Sequence, residues 1–214
     1  GVRAAYAEGK VRNSVSGFAP SPILPVSMDA GRDMKGDSVN FGYNLAATFK
    51  PNENLSFAAT YRSKINLKLK GDAIVKSQIK GNKNDVDIFN YVTKNAYSGF
   101  YDGDVKIDIP LPAVLTLATS FELDDFTFLF AYDRTFWSAF KELDFRYDER
   151  VPVSDMFDKP IEKNWHDTNT YRFGVAYKYN PKLRLMGGFA IDESAADSNK
   201  VRFELPETKA YIYS

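Results

Sequence analysis

The stretch LSFAATYRSKINLKLKG, residues 55–71, alternates between two kinds of side chain without a break. The odd positions from Leu55 to Leu69 are apolar or small, and the even positions are polar or small. A period of two is typical of a β-strand, whose successive side chains point to opposite faces of a sheet. The alternation holds for about fifteen residues, whereas strands in globular proteins usually have about five or six. The pattern therefore predicts unusually long strands with one apolar and one polar face.

The same alternation recurs along most of the chain. Together the segments predict eight strands and no amphipathic helix, and therefore an all-β fold. In addition to residues 55–71, the predicted strands are 2–14, 38–50, 107–121, 126–145, 168–180, 183–192 and 208–214.

The connections between these strands alternate in length. Tight turns lie near Pro51, at 122–125 and at 179–182, and long connections lie between them at 17–37, 72–102, 147–167 and 193–207. Short turns at one rim and long loops at the other are typical of a transmembrane antiparallel β-barrel of the bacterial cell outer membrane. A soluble β-rich domain with one buried face remains the alternative.

The barrel interpretation also predicts which side chains face lipid. We expect the basic side chains at the even positions Arg62, Lys64, Lys68 and Lys70 to face the lumen and to pair with acidic residues across it. Side chains on the apolar face should point outwards, and representative ones are Phe57, Tyr61, Ile65, Leu111, Leu115, Phe173 and Val175.

Composition excludes several classes of function. Lys plus Arg equals Asp plus Glu at 28 each, so no charge excess indicates a nucleic-acid partner. Cysteine is absent, which excludes a disulfide framework and a thiolate metal site. The chain opens and closes in strand-like sequence without an initiating Met. We therefore expect a piece of a longer protein.

Four segments resemble the FadL/TodX family of outer-membrane transporters for long-chain fatty acids and other hydrophobic molecules. FGYNLAATFKPNENLSFAATYRSKINLKLKGDA (41–73) is similar to a strand–turn–strand unit of that family. DIPLPAVLTLATSFELDDFTFLFAYDRTFWSAFKELDF (108–145) resembles its next hairpin, and NWHDTNTYRFGVAYKYNPKLRLMGGFAIDES (164–194) a later one. FELPE (203–207) is similar to the segment before the following strand.

The resemblance implies an architecture and a function. Family members close a barrel of fourteen strands around an N-terminal hatch, and residues 1–214 would supply about eight strands as an open curved sheet. The hatch and the closing strands would be missing. The implied function is passive uptake of hydrophobic molecules, mainly long-chain fatty acids, by a monomeric barrel in outer-membrane lipid without a cofactor. A general polar-solute porin or a structural barrel is the alternative.

Apolar residues in the first two long connections are candidates for ligand capture. Such clusters either pack among themselves or form a binding patch, and the resemblance implies a hydrophobic groove at the cell surface. The candidate groove residues are Phe18, Ile23, Leu24, Val26, Met28, Ile88, Phe89, Tyr91, Val92 and Phe100.

A fatty-acid head group would require basic partners, and the resemblance implies that these lie near the top of the lumen. In YAEGKVRN, Asn13 occupies the position of a family arginine, with Arg12 beside it and Lys10 nearby. Arg12 and Asn13 should point to opposite faces unless a bulge intervenes. Lys163 is the other candidate by position. The alternative is that these cations are solvated charges at the rim.

Enzymatic activity is not expected. Hydrolysis by a serine or cysteine nucleophile requires an adjacent base. The only histidine, His166, lies beside Asp167 without a nucleophile motif around it. We therefore predict a protein that is not an enzyme.

Overall fold

The computed structural model describes residues 1–21, 23–196 and 209–214 of the chain. These residues form thirteen strands and two α-helices. The elements are β1 (Val2–Phe18), β2 (Ser27–Asn52), β3 (Leu55–Arg62), β4 (Ile65–Lys80), α1 (Lys83–Val92), β5 (Gly99–Leu111), β6 (Val114–Leu123), β7 (Phe126–Thr135), a 3-10 turn (Trp137–Ala139), β8 (Glu142–Leu143), β9 (Phe145–Tyr147), α2 (Ser154–Phe157), β10 (Ile161–Glu162), β11 (Thr168–Asn180), β12 (Leu183–Asp192) and β13 (Ala210–Tyr213).

Antiparallel pairing joins eleven of these strands into one sheet. Its order is β13-β12-β11-β7-β6-β3-β2-β4-β5-β9, with β1 on the free side of β2. Within the described residues β1 does not pair with β13, so the sheet is open, as predicted. Neither of the two helices has the length and hydropathy to cross a membrane. The FELPE segment and most of the predicted loop 193–207 lie outside the described residues.

The sheet has two parts, which we call the lower and the upper part. The lower part consists of β3, β6, β7, β11, β12, β13 and residues 44–52 of β2. The upper part consists of β1, β4, β5, β9 and residues 27–37 of β2. One face of the upper part is covered by α1 and residues 145–157, which pack on Met28, Met34 and Val75 in a hydrophobic core. We call this the inner face, and the even positions of β2 lie on it.

In the lower part the predicted alternation is confirmed. Cross-strand pairs such as Thr60–Thr116 and Asp133–Thr170 occupy the inner face. The outer face carries large apolar side chains that none of the described elements covers, for example Phe57 at 44% and Phe173 at 51% exposed. An exposed apolar face of this extent favours the lipid-facing barrel over the soluble domain with a buried apolar face. Tyr61, Leu115 and Val175 share the outer face by register, as predicted.

The prediction is wrong for the upper part, where the two faces are exchanged. Residues 63 and 64 interrupt the β3–β4 pass, and residues 112 and 113 interrupt the β5–β6 pass at the same level, between the pairs Arg62–Val114 and Ile65–Leu111. Between the pairs Asp37–Lys70 and Asn44–Arg62, residues 38–43 of β2, six in number, face residues 63–69, seven in number. One unmatched residue moves every later side chain to the other face.

Ile65 and Leu111 therefore lie on the inner face, and Lys68 and Lys70 on the outer face. Arg62 remains on the inner face, opposite Asn44. Ile65 is only 1% exposed. It covers Gly42, where an added Cβ would lie 2.7 Å from Ile65 Cγ1. The interruption thus depends on a position without a side chain.

The long connections also differ from the prediction. β1 and β2 extend through most of residues 17–37 and leave only residues 19–26 between them. The connection 81–98 contains α1, which the sequence interpretation did not predict. Asn82 is the N-cap of this helix, because its side chain accepts a hydrogen bond from the Asp85 backbone amide. Phe89 then anchors the helix in the hydrophobic core.

Candidate functional site

A cavity of about 630 Å³ lies on the inner face of the upper part. Its walls come from β1, β2, β4 and β5 and from the segment between Phe140 and Ile161. The side chains that line it are mainly apolar, among them Val11, Met34, Leu69, Ile107, Ile109, Leu143 and Phe145. A cavity of this size and character suits a small hydrophobic molecule.

We call the interruption at residues 63–64 and 112–113 the bend, and the exchange of faces above it produces this lining. Leu69 pairs with Ile107, and Leu67 pairs with Ile109. The apolar side chains of both strands therefore point to the inner face. The floor of the cavity includes Gly36 and Gly71, which lie directly opposite each other. At Gly71 an added Cβ would lie 2.0 Å from the Lys35 carbonyl oxygen. Only glycine therefore allows β2 and β4 to approach so closely.

Arg32 brings a positive charge to the cavity. Its side chain lies on the inner face of β2, and its Nε donates to Asn13 Oδ1 at 2.7 Å. Nη1 donates to the Phe157 carbonyl oxygen at 3.3 Å and to the Tyr147 hydroxyl at 3.4 Å. The guanidinium carbon lies 4.4 Å from the centroid of the Phe145 ring. All these partners are neutral, so they orient the guanidinium without neutralising its charge.

No described carboxylate forms an ion pair with Arg32. Its Nη2 has no hydrogen-bond partner among the described residues. The Tyr147 hydroxyl, in the upper part of the sheet, accepts from the same Nη1 as the Phe157 carbonyl oxygen. Burial raises the pKa of the Tyr147 phenol, so this hydroxyl stays protonated at neutral pH. Arg32 thus offers a charged donor to a ligand.

The predicted head-group residues are separated by the sheet. Pairing of β1 with β2 is continuous from Val2–Tyr43 to Phe18–Ser27, so no bulge intervenes between Arg12 and Asn13. Asn13 lies on the inner face beside Arg32, whereas Lys10 and Arg12 lie on the outer face. Arg12 there pairs with Asp33. Lys163 is 3% exposed, and its backbone amide donates to the Lys141 carbonyl oxygen at 2.7 Å.

The ten predicted groove residues do not form one surface. Val26, Met28 and Phe89 belong to the hydrophobic core, and Leu24 packs against it. Phe18 and Phe100 lie on the outer face by register, opposite Ser27 and Lys76. The remaining four are exposed, and three of them form one stripe on α1: Ile23, Ile88, Tyr91 and Val92.

Hydrogen bonds to neighbouring segments hold His166 and Asp167 in place. The His166 backbone amide donates to the Ala195 carbonyl oxygen at 3.0 Å. Asp167 accepts hydrogen bonds from Arg134 at 3.2 Å and from the Ser138 amide at 2.9 Å. These contacts fix the Asp167 carboxylate to the start of the 3-10 turn rather than to His166.

Sequence reasoning missed Arg32 because residues 17–37 were interpreted as a loop. The signal was an alternation in which Met28, Ala30 and Met34 share the inner face with Arg32. A cation among apolar positions of one face is the pattern of a charge that projects into an apolar site.

Comparisons with known proteins agree with this architecture. The model of the family described as outer membrane protein transport protein (OMPP1/FadL/TodX) matches residues 1–214. A 47 kDa outer membrane protein of Pasteurella multocida is 26% identical, over 98% of this chain and 46% of its own length. A long-chain fatty acid transport protein of Escherichia coli is 22% identical, over 97% of this chain and 48% of its own.

Among solved structures, a Pseudomonas aeruginosa FadL homologue superposes with a TM-score of 0.76 at 19% identity. The match covers 98% of this chain and 49% of the homologue. The chain spans about half the length of these curated relatives. The family match extends over the entire chain, and the open sheet with its apolar outer face has the fold of the FadL homologue. The chain therefore belongs to the OMPP1/FadL/TodX family of outer membrane transport proteins.

Proposed function

We propose that this protein is a passive channel for hydrophobic molecules that carry a carboxylate, with long-chain fatty acids as the main cargo. The observation that carries the proposal is the apolar cavity with Arg32 at its wall. The name of the Escherichia coli relative, a long-chain fatty acid transport protein, agrees with it.

The apolar lining would provide most of the binding free energy. Each CH₂ group moved from water into such a site contributes about 0.8 kcal/mol. An alkyl chain of moderate length could therefore bind without a cofactor. A channel for polar solutes would instead have a mainly charged constriction, whereas the lining of this cavity is mainly apolar.

Arg32 would distinguish a carboxylate from a neutral hydrocarbon. Hydrogen bonds to charged groups contribute about 1.5–3 kcal/mol. The neutral partners Asn13 and Tyr147 would keep the guanidinium in place before the ligand arrives. Asn13, one of the predicted head-group residues, would then act by positioning Arg32, and Lys163 stays a second candidate for the head group.

Capture at the cell surface would begin at α1. Ile88, Tyr91 and Val92 are spaced by three and four residues, so they share one face of the helix, and Tyr91 is 86% exposed. Ile23 adds an exposed apolar side chain in the neighbouring connection. Phe89, on another side of α1, anchors the helix in the hydrophobic core. The exposed stripe would hold a lipid chain before its transfer into the cavity.

The test compares a charged and a neutral ligand on the full-length protein in detergent. We expect Arg32→Met to weaken oleate binding by about 10- to 100-fold, since it removes a charge-assisted hydrogen bond. Methyl oleate should bind as before, and Arg32→Lys should recover part of the loss. Lys80→Met is the control, since Lys80 lies on the outer face of β4 away from the cavity lining, and it should leave both ligands unaffected. Equilibrium binding of the radiolabelled ligands measures all four effects.

Two outcomes would contradict the proposal in different ways. An equal loss of oleate and methyl oleate in Arg32→Met would mean that Arg32 shapes the cavity and does not recognise the carboxylate. Failure of the unmodified protein to bind either ligand, together with passage of sugars in a liposome-swelling assay, would indicate a polar-solute porin.

A further inference from the structure

The outer face changes from apolar to charged at one level of the upper part. On β1 the outward series Val2, Ala4 and Tyr6 is followed by Glu8. On β2 the exposed Phe41 and Val39 are followed by Asp37. This level marks the edge of the surface that faces acyl chains, because charged side chains on a lipid-facing surface are unfavourable within the hydrocarbon.

At this level three cations lie side by side. Lys70, opposite Asp37 on β2, is also directly opposite Lys106, and Lys106 is directly opposite Arg146. Lys68 lies two residues from Lys70 on the same face. We call these four residues the basic row: Lys68, Lys70, Lys106 and Arg146. Like charges directly opposite each other destabilise a sheet, so the arrangement is unfavourable unless anionic groups compensate it.

Neighbouring carboxylates neutralise only part of this charge. Lys106 pairs with Asp148 at 2.9 Å, and Arg146 pairs with Asp108 at 2.5 Å. Asp108 is opposite Lys68 in the ladder but its carboxylate is turned to Arg146. Among the described residues neither Lys68 nor Lys70 has an ion-pair partner within 4.0 Å. Asp37 borders the basic row on β2, and Asp72 and Asp104, which lie directly opposite each other on the same face, border it on the side away from the apolar surface. Lys68 and Lys70 are therefore the two cations of the row that are left without an ion pair among the described residues.

We propose that the basic row binds the phosphate groups of an anionic membrane lipid. A lipid matches both parts of this surface. Its acyl chains would lie against Tyr6 and Val39, and its phosphates would lie one step higher, at the cations. A soluble phosphate would gain only the charge, with no apolar contact. Basic residues next to an anionic membrane surface each strengthen binding about fivefold.

The test measures retention of a lipid with two phosphates by the full-length protein in detergent, using native mass spectrometry. The variant Lys68→Gln, Lys70→Gln, Lys106→Gln should bind this lipid about a hundredfold more weakly, since three basic contacts are lost. The control is Lys76→Gln, Lys80→Gln, which removes two cations from the same strand and face but farther from the apolar edge. It should retain the lipid as the unmodified protein does.

Three further measurements test the proposal even if the triple variant assembles poorly. The variant Lys68→Arg, Lys70→Arg, Lys106→Arg should bind normally, because it preserves the charge. The unmodified protein should no longer bind the lipid after the lipid's phosphates have been removed enzymatically. Millimolar inorganic phosphate should not displace the intact lipid.

Equal binding of the dephosphorylated lipid would overturn the proposal. So would equal losses in the triple variant and its control, or unchanged binding in a triple variant that is correctly assembled. Complete displacement by inorganic phosphate would show that the row binds a soluble anion and not a lipid.

Discussion

The lower and upper parts of the sheet are built from the same alternating sequence, and yet they bury opposite sides of it. Below the bend, Phe57 and Leu117 of two neighbouring strands lie on the outer face. Above the bend, Leu69 and Ile109 of the same two passes line an inner cavity. The comparison teaches that alternation specifies two faces but not their direction. A single unmatched residue between two ladders is enough to exchange them.

The largest expected effect concerns the close approach of β2 and β4 in the upper part. Gly71→Ala would place a methyl group 2.0 Å from the Lys35 carbonyl oxygen. The backbone would have to move, at a cost of about 3 kcal/mol or more. We expect the full-length protein to assemble poorly, as judged by heat-modifiable migration on gels. Gly17→Ala is the control, since an added Cβ there meets nothing within 4 Å.

If Gly71→Ala assembled as well as Gly17→Ala, the close contact between the two strands would not be essential. The glycine at the cavity floor would then not be required for the upper part of the sheet to form.

A second prediction compares one charge on the two parts. Leu117→Lys would place an ammonium on the lipid face, where the cost is about 2–4 kcal/mol near the bilayer centre. Ile109→Lys would place the same group at the inner cavity, where water can enter. We expect Leu117→Lys to reduce the assembled fraction and Ile109→Lys to leave it normal while weakening oleate binding.

Gel migration and ligand binding on the same preparations distinguish the two substitutions. Equal assembly defects would mean that both positions face lipid, as unbroken alternation predicts, and would refute the exchange of faces.

The third prediction changes accessibility with little change in stability. In a cysteine-free version of the full-length protein, Lys70→Cys should react rapidly with a membrane-impermeant maleimide, because Lys70 is exposed on the outer face. Leu69→Cys should react slowly, because Leu69 is buried. The ratio of the two labelling rates in assembled protein measures the orientation of β4. Faster labelling at residue 69 would show that the strand faces the other way.

Some features that the sequence interpretation missed had local signals. Pro110 and Pro112 lack the N–H that a ladder needs, and Pro112 lies in the interruption between β5 and β6. Asn82 followed by Asp85 is a helix-start signal, and α1 begins there. In both cases the strong alternation on either side outweighed a short signal.

Other features had no local signal. Arg32 and Asn13 are separated by 19 residues in the chain, and nothing in either neighbourhood indicates that they meet. Their contact follows from the register of β1 on β2. The basic row likewise combines residues of β4, β5 and β9 that become neighbours only through pairing.

By itself the sequence determined that the strands are long, antiparallel and two-faced, and that the chain resembles this family. These features could be predicted because the alternation and the turn residues are local properties of the sequence. Only the tertiary structure decided which face of the upper strands is inside. The odd positions are apolar both below and above the bend, so the side chains alone are compatible with either direction. The direction depends on how many residues lie between two paired ladders, and that count exists only once the strands have found their partners.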